Sequence, residues 1–283
     1  MDLGLRPDDR VLVLGASGWF GRELAALVSV SESGCMVLEV PGPSSGVMDS
    51  EAQMLDFAPT VIIDYAFLTR ERLVQEGIRN FTRMNEELTN RFLSLAQLPS
   101  VRSSITVSSG AAVTESNEPY GRLKAAEETG ALALATDERA VVVVRAYAVT
   151  GGYVRRPREY AFSDFIVQAP EGLVRVQADR PVFRRYCAVS DVLTVALRSV
   201  SRGRSGVFET GGTLVEMGDL ARRVIAVVNP RAEMERAALV SDVPSVYHSD
   251  DQQWQEWYYA VDVTPRTLDE QIRDAAQILV GSA

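Results

Sequence analysis

Residues Arg10 to Gly21 read RVLVLGASGWFG, a short apolar run followed by three glycines at regular spacing. The apolar run predicts a buried strand, and the residues after Gly21 have helical character. Gly15 would allow a tight turn, Gly18 a close approach of the backbone to a ligand, and Gly21 the packing of helix on strand. The helix N-terminus offers unpaired N–H groups and a partial positive charge. The stretch therefore indicates a loop that binds the pyrophosphate of a dinucleotide, with a purely structural turn as the alternative.

A second apolar run, Cys35 to Val40, carries an acid near its end. Glu39 lies 24 residues after Gly15, about the distance at which an acid commonly binds the adenosine ribose of NAD. A surface glutamate is the alternative. Ser44 and Ser45 follow in a proline- and glycine-rich loop and could instead contact the 2′-phosphate of NADP. The predicted cofactor is therefore NAD, with NADP left open.

Strand-like runs then alternate with helical patterns up to residue 150. Strands are predicted at 60–66, 104–107 and 140–145, and helices at 70–98 and 119–136. This alternation predicts an α/β fold with a Rossmann-type doubly wound parallel sheet. The predicted dinucleotide-binding core is 1–150, to which 186–211 returns, and a smaller C-terminal substrate-binding lobe is predicted for 151–185 and 212–283.

Composition excludes several classes of function. The chain has 283 residues, 46% of them hydrophobic, and a net charge of −9 without a basic run, which argues against nucleic acid or an anionic membrane as a partner. It contains no apolar stretch of about 20 residues that could span a membrane. The N-terminus lacks a signal-peptide pattern, so a cytoplasmic location is expected. A metal site is not expected, because His248 is the one histidine and Cys35 and Cys187 are far apart.

Lys124 is the single lysine among 29 basic residues, and it follows Tyr120 by four positions. On a helix these positions share a face. The ammonium can stabilise the tyrosinate and make Tyr120 a usable acid/base near neutral pH. The alternative is a tyrosine and a lysine on a solvated helix face. Ser109 follows the predicted strand 104–107, at the sheet edge where open α/β folds bind ligands.

The order of these motifs resembles the extended branch of the short-chain dehydrogenase/reductase superfamily, which contains nucleotide-sugar epimerases, dehydratases and reductases. The resemblance covers almost the whole chain. The matching positions are Gly15-x-x-Gly18-x-x-Gly21, Glu39, Ala66-Phe67, Asn85, Ser109, Tyr120 with Lys124, and Arg184-x-Tyr186-x-x-Val189-x-Asp191. Ala148 departs from the pattern, since an asparagine often contacts the substrate there.

The resemblance implies roles for these residues. Tyr120 would move a proton to or from a sugar oxygen, Ser109 would orient that oxygen, and Lys124 would hold the nicotinamide ribose, so that all three are catalytic. The implied cofactor contacts are Gly15, Ser17, Gly18, Trp19, Phe20, Gly21, Glu39, Ala66, Phe67, Asn85, Tyr120, Lys124 and Tyr147. The implied substrate contacts are Ser109, Gly110 and Arg184.

The function that follows is an NAD(P)-dependent nucleotide-sugar epimerase that acts through a transient keto-sugar. An NAD(P)H-dependent 4-keto-sugar-nucleotide reductase is the alternative, and a non-catalytic redox sensor a further one. Dehydration is disfavoured because Gly110 and Ala111, rather than acids, follow Ser109. A homodimer is expected, with helices 70–98 and 119–136 at its interface.

Overall fold

Twelve strands and ten helices follow one another in residues 1–42 and 51–281, the part of the chain that the computed structural model describes. The strands are β1 (Arg10–Leu14), β2 (Met36–Val40), β3 (Val61–Asp64), β4 (Ser103–Ser109), β5 (Ala140–Ala146), β6 (Ala148–Thr150), β7 (Leu173–Val176), β8 (Val182–Ala188), β9 (Gly206–Glu209), β10 (Thr213–Glu216), β11 (Glu233–Arg236) and β12 (Ser245–Tyr247). The helices are α1 (Trp19–Ser29), α2 (Glu51–Phe57), α3 (Arg70–Ala96), α4 (Ala111–Thr114), α5 (Pro119–Leu132), α6 (Ala161–Gln168), α7 (Val189–Ser201), α8 (Met217–Val228), α9 (Gln252–Ala260) and α10 (Leu268–Leu279).

The chain divides into two units. The first consists of Met1–Ala146 and Leu193–Glu209, and the second of Tyr147–Val192 and Thr210–Ala283. These boundaries differ by a few residues from those expected at 150, 186 and 211. The difference arises because β6 and β8 pair with each other in a sheet of the second unit rather than with the strands of the first.

The first unit is built on one parallel sheet, whose order in the described residues is β2-β1-β3-β4-β5-β9. From β1 the chain passes to β2 on one side and then crosses to β3 on the other. The crevice at the carboxyl ends of β1 and β3 is therefore the point where the strand order reverses, and open α/β sheets bind ligands at such a point. The prediction of a doubly wound parallel sheet is confirmed.

Both faces of this sheet are covered. Val141 to Val144 of β5 are all fully buried, and so are Val61 to Asp64 of β3. Successive side chains of a strand point to opposite faces, so a run buried throughout requires cover on both sides. This explains why these strands read as continuous apolar runs in the sequence.

The helices of the first unit largely follow their predicted ranges. α3 ends at Ala96 and is interrupted at Gly77, whose φ of 71° is outside the helical region. α5 begins with Pro119 in its first turn, where the missing proline N–H costs nothing, and ends at Leu132, earlier than the expected 136.

The second unit combines short strands with the helices α6, α8, α9 and α10, and three of these helices surround an apolar core. In its described residues β8 pairs with β6, β10 and β12, and β7 pairs with β11. Fully buried side chains from α6, α8 and α10 form the core, among them Ile166, Leu220 and Ile272. No helix in the described part of the chain has the length and apolar character that crossing a membrane requires.

The core of the first unit provides a stability test on one helix. Phe92 of α3 is fully buried, whereas Val74 of the same helix is 91% exposed. We expect Phe92→Ala to lower the free energy of unfolding by about 3–5 kcal/mol through loss of apolar burial and a residual cavity. Val74→Ala should change it by less than about 0.5 kcal/mol. Urea unfolding measures both values, and similar losses for the two variants would contradict the core assignment.

Candidate active site

The glycine-rich loop lies at the switch point of the sheet, between β1 and α1. Gly15 has a φ of +77°, and a Cβ there would come within 2.6 Å of the Tyr65 carbonyl carbon, just after β3. The Tyr65 ring packs against Phe20, with centroids 5.7 Å apart. Gly18 is the N-cap of α1, and its N–H donates to Gly15 O at 2.9 Å. A glycine N-cap has no side chain over the first helical N–H groups, which fits the phosphate groups of a dinucleotide.

Two predicted cofactor residues of this loop also have partners inside the protein. Ser17 Oγ accepts a hydrogen bond from the backbone N–H of Gly42 at 3.0 Å. Trp19 Nε1 donates to the buried carboxylate of Glu23 at 3.3 Å. These contacts tie the loop to the end of β2 and to α1. Cofactor contacts of Ser17 and Trp19 stay predictions.

Glu39 is exposed and lies one residue before the end of β2, opposite Val13 of β1. Its carboxylate is therefore at the same edge of the sheet as the glycine loop and accessible to a ligand. Ser44 and Ser45, the alternative contacts for a 2′-phosphate, lie outside the described residues. The preference for NAD over NADP stays a prediction.

The segment between β3 and α3 is held by buried polar side chains. Asp64 Oδ1 accepts from the Ala66 N–H at 3.0 Å. Asn85 is fully buried, and its Oδ1 accepts from the Leu68 N–H at 2.8 Å while its Nδ2 faces Leu68 O at 3.4 Å. Asn85 therefore fixes the backbone of this segment, and any effect on a cofactor would pass through the segment.

Ser109 is the last residue of β4, which lies beside β3 in the sheet. Its Oγ accepts a hydrogen bond from the Ala111 N–H at 3.2 Å, and the Gly110 N–H donates to Ala146 O at 3.0 Å. The serine hydroxyl is thus placed at the carboxyl edge of the sheet by the start of α4. This is the edge that also carries the glycine loop.

The Tyr120 ring lies near the beginning of α5, between two side chains of the segment after β3. The Phe67 ring meets it edge-on, with centroids 5.8 Å apart, and the Arg70 guanidinium lies 5.6 Å from its centroid. Arg70 also forms an ion pair with Glu115. These contacts fix the orientation of the phenol from the β3 side.

Lys124 is buried, with only 3% of its surface exposed, so the alternative of a solvated helix face does not apply to it. Its Nζ donates to Val107 O at 2.8 Å and to Glu127 Oε2 at 2.8 Å. Nζ also lies 3.6 Å from the centroid of the Phe67 ring. An ammonium has three N–H donors, and here three protein groups surround it. The structure thus brings Phe67, Tyr120 and Lys124 together in one cluster.

Two acids near Lys124 were not predicted as site residues. Asp64 ends the apolar strand β3, and Glu127 follows Lys124 by three positions on α5. Burial, and then the nearby charge of Glu127, raise the pKa of the Asp64 carboxyl well above its usual range. A sequence signal existed for Glu127, because residues three apart on a helix are neighbours.

The other two predicted site residues belong to the second unit. The Tyr147 ring packs against Tyr247, with centroids 5.0 Å apart. Arg184 Nη1 donates to Ser245 O at 3.2 Å, and its guanidinium lies 5.9 Å from the Tyr247 centroid. Within this unit the two side chains therefore flank the same tyrosine. Their proposed contacts with cofactor and substrate stay predictions.

Several solved structures share the fold of this chain, although neither a family model nor a curated protein matches its sequence. It superposes on a UDP-glucose 4-epimerase with UDP-glucose from Thermotoga maritima with a TM-score of 0.74 and 20% identity, over 95% of this chain and 98% of that one. RMD from Pseudomonas aeruginosa, complexed with NADPH, superposes with a TM-score of 0.74 and 19% identity, over 96% of this chain and 98% of that one. TunA, an NAD-dependent NDP-hexosamine 5,6-dehydratase of tunicamycin biosynthesis, superposes with a TM-score of 0.71 and 19% identity, over 97% of this chain and 98% of that one. At these identities the similarity establishes the fold that the sequence resemblance implied.

The glycine loop offers a matched pair of variants. A Cβ at Gly21 would overlap the Ala16 carbonyl, whereas at Gly18 it would approach Gly15 O at 3.2 Å. We expect Gly21→Ala to cost about 1–3 kcal/mol of stability through overpacking, measured by chemical unfolding. Gly18→Ala should cost about 1 kcal/mol or less and weaken NAD binding at least tenfold in calorimetry. Unchanged NAD affinity in Gly18→Ala would contradict the loop assignment.

Proposed function

We propose that the protein is an NAD(P)-dependent enzyme that modifies a nucleotide sugar, with Tyr120 as its acid/base. One observation carries the proposal. The Tyr120–Lys124 cluster and the Ser109 hydroxyl are contributed by segments that follow β3 and β4, next to the glycine loop after β1. A phenol, an ammonium, a hydroxyl and a phosphate-binding loop at one edge of a sheet suit hydride transfer coupled to proton transfer.

Each residue has a defined part in such a reaction. A bound nicotinamide dinucleotide supplies or accepts the hydride. Tyr120 gives a proton to, or takes it from, the reacting sugar oxygen, and the Ser109 hydroxyl donates a hydrogen bond to that oxygen. Lys124 would bind the nicotinamide ribose by exchanging its contact with the Phe67 ring, the weakest of its three contacts, for a ribose hydroxyl.

A nucleotide sugar is supported as the substrate class by the similar structures. A UDP-glucose 4-epimerase with UDP-glucose and an NDP-hexosamine dehydratase share the fold over nearly their whole length. Arg184, in the second unit, provides a guanidinium suited to a diphosphate. Tyr247, whose ring centroid lies 5.9 Å from this guanidinium, adds an aromatic ring beside it.

Among the possible reactions we place epimerisation first, because Glu39 favours NAD and an epimerase recycles a tightly held NAD. Reduction of a 4-keto sugar is the alternative and would use dissociable NAD(P)H. Gly110 and Ala111 after Ser109 weigh against dehydration, although one structure with this fold is a dehydratase. A homodimer stays part of the proposal.

A non-catalytic dinucleotide sensor is the second candidate function. The observation in its favour is that the Lys124 ammonium is enclosed by Val107, Glu127 and Phe67. In a sensor this lysine would be a purely structural residue, and Tyr120 would have no acid/base task.

The state of the cofactor distinguishes the two reactions. For an epimerase we expect the purified protein to release about one NAD per chain when it is denatured, because the reaction returns the cofactor to its starting form. The released NAD is measured by an enzymatic cycling assay. A protein purified without cofactor that turns over a keto-sugar nucleotide only with NADPH would instead establish the reductase.

Removal of the phenol hydroxyl tests the acid/base assignment. We expect Tyr120→Phe to lower kcat about a hundred- to ten-thousand-fold, the usual worth of general acid–base catalysis, with the fold retained. Tyr259→Phe, on the exposed surface of α9, is the control and should keep full activity. Turnover of UDP-sugars followed by chromatography is the measurement. Persistent turnover in Tyr120→Phe would refute the role of Tyr120, and cofactor binding without any turnover in the wild type would favour the sensor.

A further inference from the structure

Two adjacent buried acids on α5 have different partners. The Arg145 guanidinium donates hydrogen bonds to the Glu128 carboxylate, from Nη2 at 2.7 Å and from Nε at 3.0 Å. The Glu127 carboxylate accepts hydrogen bonds from Thr106 Oγ1 at 2.5 Å and from Lys124 Nζ at 2.8 Å. Both acids are nearly inaccessible to solvent. Both acids thus link α5 to the sheet, and Glu127 in addition forms an ion pair with Lys124 of the proposed active site.

The charges around Lys124 come from three elements. Glu127 and Lys124 are on α5, Asp64 is at the end of β3, and Arg91 is on α3, where its positive charge also acts on Asp64. Burial favours the neutral form of Asp64, and the negative charge of Glu127 favours it further. Glu127 is the acid that pairs directly with Lys124, with its Oε2 2.8 Å from Nζ.

Glu127 also restricts where the ammonium can lie. Its carboxylate is itself anchored by Thr106 of β4, and the Val107 carbonyl that binds Lys124 is the next residue of that strand. The hydrogen bonds to Val107 O and to the Glu127 carboxylate hold Nζ towards β4. The Phe67 ring, from the segment after β3, also lies against Nζ. The bond to Glu127 is stronger than the ring contact, because hydrogen bonds between ionised groups are the strong ones.

We propose that Glu127 is a positioning residue of the active site, which anchors the Lys124 ammonium against β4 and balances the charge that this ammonium presents to Tyr120. The inference rests on the proposed function for its catalytic consequence. The Phe67 ring contacts both Lys124 and Tyr120, so loss of the Glu127 carboxylate would leave an unbalanced cation in the cluster that holds the phenol.

Because Lys124 is the only lysine, its ammonium can be observed without any assay of activity. Labelling with [15N]lysine gives a single Nζ resonance in a 1H–15N spectrum of the whole protein. Glu127→Gln keeps the size of the side chain and its hydrogen-bonding positions but removes the negative charge. We expect the Lys124 resonance to titrate at lower pH than in the wild type, by about one pH unit, because a nearby opposite charge favours the ionised form.

Glu128→Gln is the matched control, since it removes a buried, ion-paired carboxylate of the same helix that does not contact Lys124. It should leave the Lys124 titration where it is in the wild type. Asp64→Asn should shift it less than Glu127→Gln does, because burial favours the neutral form of Asp64. The double variant Asp64→Asn with Glu127→Gln should show the full shift, because Asp64 can then no longer ionise in place of Glu127. An unshifted double variant, or an equal shift in Glu128→Gln or in Asp64→Asn, would overturn the assignment.

The catalytic consequence is read from the same variants. In Glu127→Gln the pH–rate profile should move to lower pH by about one unit, and NAD should bind several-fold more weakly because Lys124 loses its anchor. Glu127→Asp, which keeps the charge, should return the profile towards that of the wild type. If the wild type neither binds NAD nor turns over a sugar nucleotide, the proposed function fails while the NMR titration still tests the Lys124–Glu127 pair. A shifted titration with an unmoved rate profile would overturn the positioning role alone.

Discussion

The enclosure of one ammonium inside the protein is the constraint on which the site depends. A buried charge is costly unless it is paired and hydrogen-bonded. Lys124 meets that requirement with a carbonyl of β4, a carboxylate of its own helix and an aromatic ring from the segment after β3. Lys124 Nζ thereby contacts groups from β4, from α5 and from the segment after β3. Loss of the carbonyl or of the carboxylate would leave the ammonium short of a hydrogen-bond acceptor, so these two groups hold Lys124 in place beside the Phe67 ring that Tyr120 also contacts.

The topology of the sheet determines where this cluster lies. Parallel strands direct their carboxyl ends to one edge, and the order β2-β1-β3-β4-β5-β9 reverses between β1 and β3. The turn after β1 passes so close to Tyr65 that a side chain at Gly15 would not fit. The glycine loop and the segment that carries Phe67 are therefore neighbours. The Tyr120–Lys124 cluster and the glycine loop share one edge of the sheet because of the strand order.

The relation between fold and activity is loose for this architecture. Structures that match the chain over more than nine-tenths of its length with only 16–20% identity include epimerases and a dehydratase. A fold hosts many functions, so the activity has to be argued from the site. Here the argument depends on the side chains around Lys124. That environment also contains two carboxyl groups, those of Glu127 and Asp64, which the spacing of the tyrosine and the lysine does not reveal.

The sequence by itself determined the central strands of the large sheet that are apolar runs, such as Val141 to Val144, because such runs need cover on both faces. It also determined the glycine loop and the spacing of Tyr120 and Lys124, which depend on the geometry of one local element. The short strands of the second unit escaped prediction, since strands as brief as β6 and β12 exist only through pairing with β8. Tertiary structure alone decided that Val107 and Phe67 enclose Lys124, and that Asp64 faces Glu127. Such contacts join positions far apart in the chain, and no local spacing encodes them.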